Sequence, residues 1–236
     1  MDEQTLRDNI ARVHERIALA ERRAGRQGQV TLVAVSKTHA AETVAAAYRA
    51  GLSLFGENRV EEAGPKAAAV AALLSVKQTS EFPPRWHMVG HLQSRKAADV
   101  LPWASLVHSV DTVKLAGRLS QAVSAGQVLP ILLEVNVSGE ESKAGFGPAE
   151  LATAVASITA LSGLRIDGLM TMAPIVEAPE LARPVFCGLR QLRDQLAQQY
   201  PDLPWTHLSM GMTDDFEVAI EEGATLVRIG RALFGA

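Results

Sequence analysis

The chain has 236 residues, 47% of them apolar and only 5% aromatic, so a large core must be built from Ala, Val, Leu and Ile. A net charge of −3, with Lys and Arg spread along the chain, argues against nucleic acid or an anionic membrane as a partner. The longest uncharged apolar run, Ala67 to Val76, is too short to cross a bilayer, and the lone Cys187 excludes an internal disulfide and suits a reducing cytoplasm.

The start, Met1-Asp2-Glu3, is acidic and polar and shows no signal peptide. Leu6, Ile10, Val13 and Ile17 recur on one helical face, which predicts a helix from Asp2 to Ala24, ended by Gly25 and Gly28. Val30 to Val35 reads as the first strand and stops at Ser36-Lys37. Residues 39–50 are helix-like, and Leu52 to Phe55 reads as strand two, running into Gly56-Glu57-Asn58. A long alanine-rich helix follows, broken by Phe82-Pro83-Pro84.

Trp86 to Val89 is strand three, leading into Gly90-His91. A short helix precedes strand four, Leu106 to Val110, and Asp111 is expected to cap the next helix, to about Gly126. Ile131 to Val137 is strand five. Its loop, Ser138 to Gly147, is the longest structureless stretch, and a helix follows from Pro148 to about Leu161. Ile166 to Met172 is strand six, Ala178 to Gln199 is helical, and Trp205 to Ser209 is strand seven. Asp214 to Glu222 is a short helix with capping-box spacing at Asp214 and Glu217. Ala224 to Ile229 is strand eight, before a terminal helical turn.

Short apolar strands alternating with helices predict a parallel sheet covered on both faces. Eight such units predict an α/β fold, a single (β/α)₈ TIM barrel over residues 1–236, with an extra N-terminal helix (1–28) packed on it. The alternative is an open doubly wound sheet. It asks for a glycine-rich loop after strand one, where this chain has Ser36-Lys37-Thr38.

In such a barrel, function sits at the carboxyl ends of the strands. Those ends offer Lys37, Asn58, His91, Asn136, Met172, Ser209 and Arg228. Lys37 is either a surface lysine or an amine at the rim, where partial desolvation would favour the neutral nucleophile that attacks an aldehyde. Ser209-Met210-Gly211-Met212-Thr213 and Gly230-Arg231 each lead from a strand into a helix, as phosphate sites after strands seven and eight do. Simple capping, or a tight turn at Gly230, is the plainer reading. An aldehyde that carries a phosphate satisfies both ends, and pyridoxal 5'-phosphate (PLP) is the obvious candidate.

Arg228, between apolar neighbours, is either half of a structural salt bridge or a donor to a ligand's ring nitrogen. His87 and His91 stand four apart on strand-like sequence broken by Gly90, with no matching third ligand, so no metal site is expected. Glu57 and Glu134 are read as capping or solvent-facing groups rather than acid–base groups. Cys187, in a helical stretch, is read as packing.

Several stretches resemble the pyridoxal 5'-phosphate homeostasis protein family (the proline synthetase co-transcribed homologues). They are 34–38 (AVSKT), 55–60 (FGENRV), 86–94 (WHMVGHLQS), 134–138 (EVNVS) with Glu141-Ser142-Lys143-Ala144-Gly145, 168–172 (GLMTM), 208–213 (LSMGMT) with Asp215, and 227–235 (VRIGRALFG). The resemblance implies an alanine-racemase-like barrel without the second, β-rich domain. It implies that Lys37 carries PLP as an internal aldimine, that Ser209 and the backbone around Met210, Gly230 and Arg231 hold the phosphate, that Arg228 lies near the pyridine nitrogen, and that Asn58 lines the pocket. An arginine there makes the ring a weaker electron sink. His39, where a second lysine often sits, and the variable Arg59 are minor departures.

A racemase of this fold type needs a second acid–base group, typically a tyrosine. Tyr48 and Tyr200, the only two, are not at strand ends. The expectation is therefore a cytoplasmic binding protein, not an enzyme, that holds PLP and supplies PLP-dependent apoenzymes; the family suggests a monomer. The alternatives are a single-domain PLP-dependent racemase or decarboxylase relative, and a phosphosugar barrel whose lysine joins its substrate.

Overall fold

The computed structural model describes residues 3–74, 83–140 and 143–235. Asp2, Phe82, Glu141 and Ser142, which the sequence reading uses, lie outside the described residues. Eight parallel strands follow one another in sequence order around a closed barrel. They are β1 (Thr31–Val35), β2 (Leu54–Glu57), β3 (Arg85–Met88), β4 (Leu106–Val110), β5 (Leu129–Glu134), β6 (Leu164–Met170), β7 (His207–Ser209) and β8 (Leu226–Ile229). Closure is made by β1 on β8, with Thr31 opposite Leu226 and Ala34 opposite Ile229. An open doubly wound sheet is thereby excluded.

The helices are α1 (Glu3–Ala24), α2 (Ala41–Arg49), α3 (Val60–Leu73), α4 (Ala97–Val100), α5 (Val113–Ala122), α6 (Leu151–Thr159), α7 (Arg183–Gln199), α8 (Phe216–Glu221) and α9 (Arg231–Phe234). Side chains alternate along each strand. One set, including Val33, Leu54, Val89, Leu132, Met170 and Leu226, fills the barrel. The other set, such as Ala34, Phe55 and Val107, meets the helices in the larger core. Both faces are thus buried, which is why the strands read as apolar runs.

Helix α1 buries Leu6, Ile10, Val13 and Ile17. Asn9 donates to Leu233 O of α9 at 3.0 Å. Arg16 meets Glu217 of α8 at 2.6 Å, with its guanidinium 4.5 Å from the centre of the Phe216 ring.

Three local expectations need correction. Helix α5 is capped by Thr112, whose hydroxyl accepts from Leu115 N–H at 3.2 Å, while Asp111 turns to His91. The expected pair Asp214 and Glu217 makes no capping box. Chain 212–215 first closes a turn, in which Asp215 accepts from Met212 N–H at 2.6 Å, so α8 starts only at Phe216. Asp214 pairs with Arg231 and Glu217 with Arg16. Strand β5 stops at Glu134 rather than Val137. Asn136 instead organises its loop, donating to Glu140 O at 2.9 Å and accepting from Gly139 N–H at 3.0 Å.

Candidate cofactor site

Lys37 follows β1 at the carboxyl end of the barrel. Its place is set from outside the barrel wall. Lys66 of α3 donates to Ser36 O at 2.9 Å and to Glu57 Oε1 at 2.8 Å, and Ser36 Oγ donates to the same carboxylate oxygen at 2.7 Å. Glu57 is wholly buried, neither capping nor facing solvent as the sequence reading held. Beyond Lys37 the chain turns sharply through Thr38, a β-branched residue at φ +67° whose hydroxyl donates to Lys37 O at 2.6 Å. Such a conformation is strained in a non-glycine residue and persists only where its surroundings impose it. The Lys37 side chain is exposed at the rim of the barrel.

Asn58 leaves β2 half-buried. The β3 loop presses on it so closely that a Cβ on Gly90 would lie 2.4 Å from Asn58 O. Gly211 plays the same part after β7. Its φ of +91° returns the chain over the barrel, and a side chain there would meet Ala219 Cβ at 2.6 Å. That turn brings Met212, Thr213 and Asp214 to the mouth.

The result is one cleft of about 490 Å³, and Lys37, Asn58, Arg228, Gly230 and Arg231 all line it. Thr213 and Asp214 join them, and the rest of the wall is apolar: Val35, Val89, Met172, Ile175 and Met212. Ser209 and Met210 are not among the lining residues. Ser209 lies beneath the cleft, fully buried, and Met210 N–H is donated to Leu226 O at 3.1 Å.

Arg228 forms the floor. It is a buried cation without an ion-pair partner among the described residues: Nη1 donates to Ser209 Oγ at 2.6 Å and Nη2 to Thr171 O at 2.9 Å. The salt bridge entertained from sequence is therefore absent. Burial pulls its pKa down to about 10, opposed by the more distant Glu134 and Asp215 carboxylates, and it stays charged at neutral pH.

Ser209 continues inward to two histidines. His108 Nδ1 is 2.8 Å from Ser209 Oγ, and His108 Nε2 is 2.9 Å from His87 Nδ1. Burial holds both rings neutral. His87 is pushed down to about 3, and His108 lies well below its usual range. Sequence reading missed His108, although alternation from Leu106 points it inward. His87 and His91 diverge, because His91 is mostly exposed and holds Asp111 at 3.2 Å.

The donor set fits an aldehyde that bears a phosphate and an aromatic ring. It offers one amine, a threonine hydroxyl, the Gly230–Arg231 backbone at a helix start, and a guanidinium below.

Residues 2–236 match the model of the alanine racemase N-terminal domain. A pyridoxal phosphate homeostasis protein of Pseudomonas aeruginosa is 43% identical over 234 residues, covering 98% of this chain and 96% of its own. One from Aquifex aeolicus is 40% identical over 230 residues, covering 97% and 96%. The structure of PipY from Synechococcus elongatus with PLP bound superposes with a TM-score of 0.81 at 34% identity, covering 98% of this chain and all of that one (100%). Alanine racemase from Corynebacterium glutamicum, at 14% identity and TM-score 0.70, shares the fold over 61% of its length. The chain thus belongs to the pyridoxal phosphate homeostasis protein family, built on the alanine racemase N-terminal barrel.

Proposed function

We propose that this protein binds PLP in the Lys37–Arg228 cleft, joined covalently through Lys37 Nζ, and serves intracellular PLP homeostasis without turnover. The observation that carries the reading is the placement of an amine and an unpaired buried guanidinium on one cleft large enough for the cofactor. Bound there, PLP would supply an electrophilic carbonyl carbon. Thr213, Gly230 and Arg231 hold its phosphate. Arg228 faces the ring nitrogen as a hydrogen-bond donor, which disfavours a proton on that nitrogen and weakens the ring as an electron sink. Ser209 and Met210 act from beneath: Ser209 Oγ accepts from Arg228 and keeps its own O–H to donate, so from under the phosphate end of the cleft it holds that guanidinium.

The absence of turnover rests on the tyrosines. Tyr200 hydroxyl donates to Ala152 O at 3.1 Å, and Tyr48 lies within α2, so neither faces the mouth. The protein works as a monomer in the cytoplasm and passes PLP to apoenzymes. No helix among the described residues is long and apolar enough to cross a membrane.

Titration with PLP, followed by visible absorbance, tests the reading. A band that saturates at one equivalent and is lost in Lys37→Ala is expected. The same band in both proteins would refute attachment at Lys37. Racemisation or decarboxylation of amino acids by the loaded protein would refute the absence of turnover.

A further inference from the structure

The mouth of the barrel holds another titratable side chain that the reading above leaves unused. Glu134 ends β5 at an inward position, two residues beyond Leu132 of the barrel's filling. It is only 3% exposed, yet no hydrogen bond or ion pair of its carboxyl group is found among the described residues. Among the described residues the one sealed side-chain atom without a partner is Glu57 Oε2, so the Glu134 oxygens are not fully sealed. In a closed barrel with strands in sequence order, β5 stands four strands from β1 in either direction. Glu134 and Lys37 therefore stand on opposite sides of the barrel's carboxyl end, Glu134 outside the set of residues that line the Lys37 cleft.

Its neighbours are few. Val110 pairs with Leu133, so Asp111, just past the end of β4, comes beside Glu134, the last residue of β5. Asp111 holds His91, at 3.2 Å. Arg228 reaches in from β8, but both its terminal nitrogens are bonded elsewhere. Burial, and then the Asp111 charge, push the Glu134 carboxyl up to about 7, against Arg228 and His91. A buried carboxyl without a partner is costly, and one poised near neutral pH is suited to exchange protons.

We propose that Glu134, backed by Asp111, receives the ammonium group of a second ligand, a primary alkylamine such as a lysine side chain, opposite Lys37, and takes one proton from it. The inference rests on Lys37 carrying the cofactor. The freed amine nitrogen then replaces Lys37 Nζ on the carbonyl-derived carbon. One carbon–nitrogen linkage forms as the other breaks, Lys37 leaves as its amine, and the proton on Glu134 passes to Lys37 through water. Nothing is oxidised or reduced. An α-amino acid is the poorer ligand, because its own carboxylate would meet Asp111 and Glu134.

The test is calorimetric titration of n-butylamine into the cofactor-free protein at alkaline pH, for the wild type, Glu134→Gln and Glu134→Asp. Loss of a charge-assisted contact predicts affinity lower by about tenfold or more in Glu134→Gln, with partial retention in Glu134→Asp. Wild-type affinity falls as the pH drops below 7, and alanine binds more weakly than butylamine. In the loaded protein, butylamine displaces Lys37 more slowly in Glu134→Gln, read as persistence of the reducible Lys37 adduct. Equal affinities in wild type and Glu134→Gln, or no binding by the wild type, overturn the inference. The titration needs no cofactor, so its failure with PLP on Lys37 leaves the proposed function intact. Amine binding without PLP on Lys37 overturns the proposed function and leaves the amine site.

Discussion

Arg228 Nη1 lies 2.6 Å from Ser209 Oγ, so two residues assigned to opposite ends of one ligand are bonded to each other beneath it. Ser209 is also within 2.8 Å of His108. Ser209→Ala therefore leaves a buried guanidinium N–H and a ring nitrogen without their partner. A cost of roughly 1–3 kcal/mol is expected from that desolvation, measured by urea unfolding. A change under 0.5 kcal/mol, within the ordinary effect of a surface substitution, would show the contact to be dispensable.

Lys66 acts from outside the barrel on the residue before Lys37. Its side chain is 10% exposed and that of Glu57 is fully buried, 2.8 Å away. Lys66→Met strands the carboxylate, whose Oε2 already lacks a partner. Breaking one side of a buried pair costs roughly 3–5 kcal/mol. Lys66→Met is expected to lower the unfolding midpoint strongly and to weaken PLP retention, whereas the double variant Lys66→Met with Glu57→Gln recovers much of the stability.

Glu134 makes stability depend on pH. Its folded-state pKa of about 7 lies above the ordinary 4.5. Between those values the folded state binds more protons than the unfolded state, so stability falls as pH rises through the window. The penalty is absent below pH 4.5 and complete above 7. It amounts to about 3 kcal/mol at most. Glu134→Gln removes it. The difference in unfolding free energy between variant and parent should therefore shift in the variant's favour from pH 4.5 to above 7. A difference that stays flat with pH would contradict this.

The barrel was legible because strands buried on both faces leave apolar runs, as in Val30 to Val35. Their ends were less so. Val135-Asn136-Val137 continues the strand pattern, yet the Asn136 side chain closes its own loop. Thr112 displaces Asp111 as a cap because Asp111 has His91 to hold. Lys37 and Arg228 could be found from their places at strand ends. Thr213 and Asp214 could not, since they reach the cleft only through the return of chain after Gly211. Glu134 was misread because glutamates are seldom buried without a partner, although counting by twos from Leu132 already turns it inward.

The most direct measurement is borohydride reduction of the PLP-treated protein followed by peptide mass mapping. The account predicts a single reduced pyridoxyl adduct on Lys37. An unmodified Lys37, or adducts spread over exposed lysines such as Lys114, would contradict it.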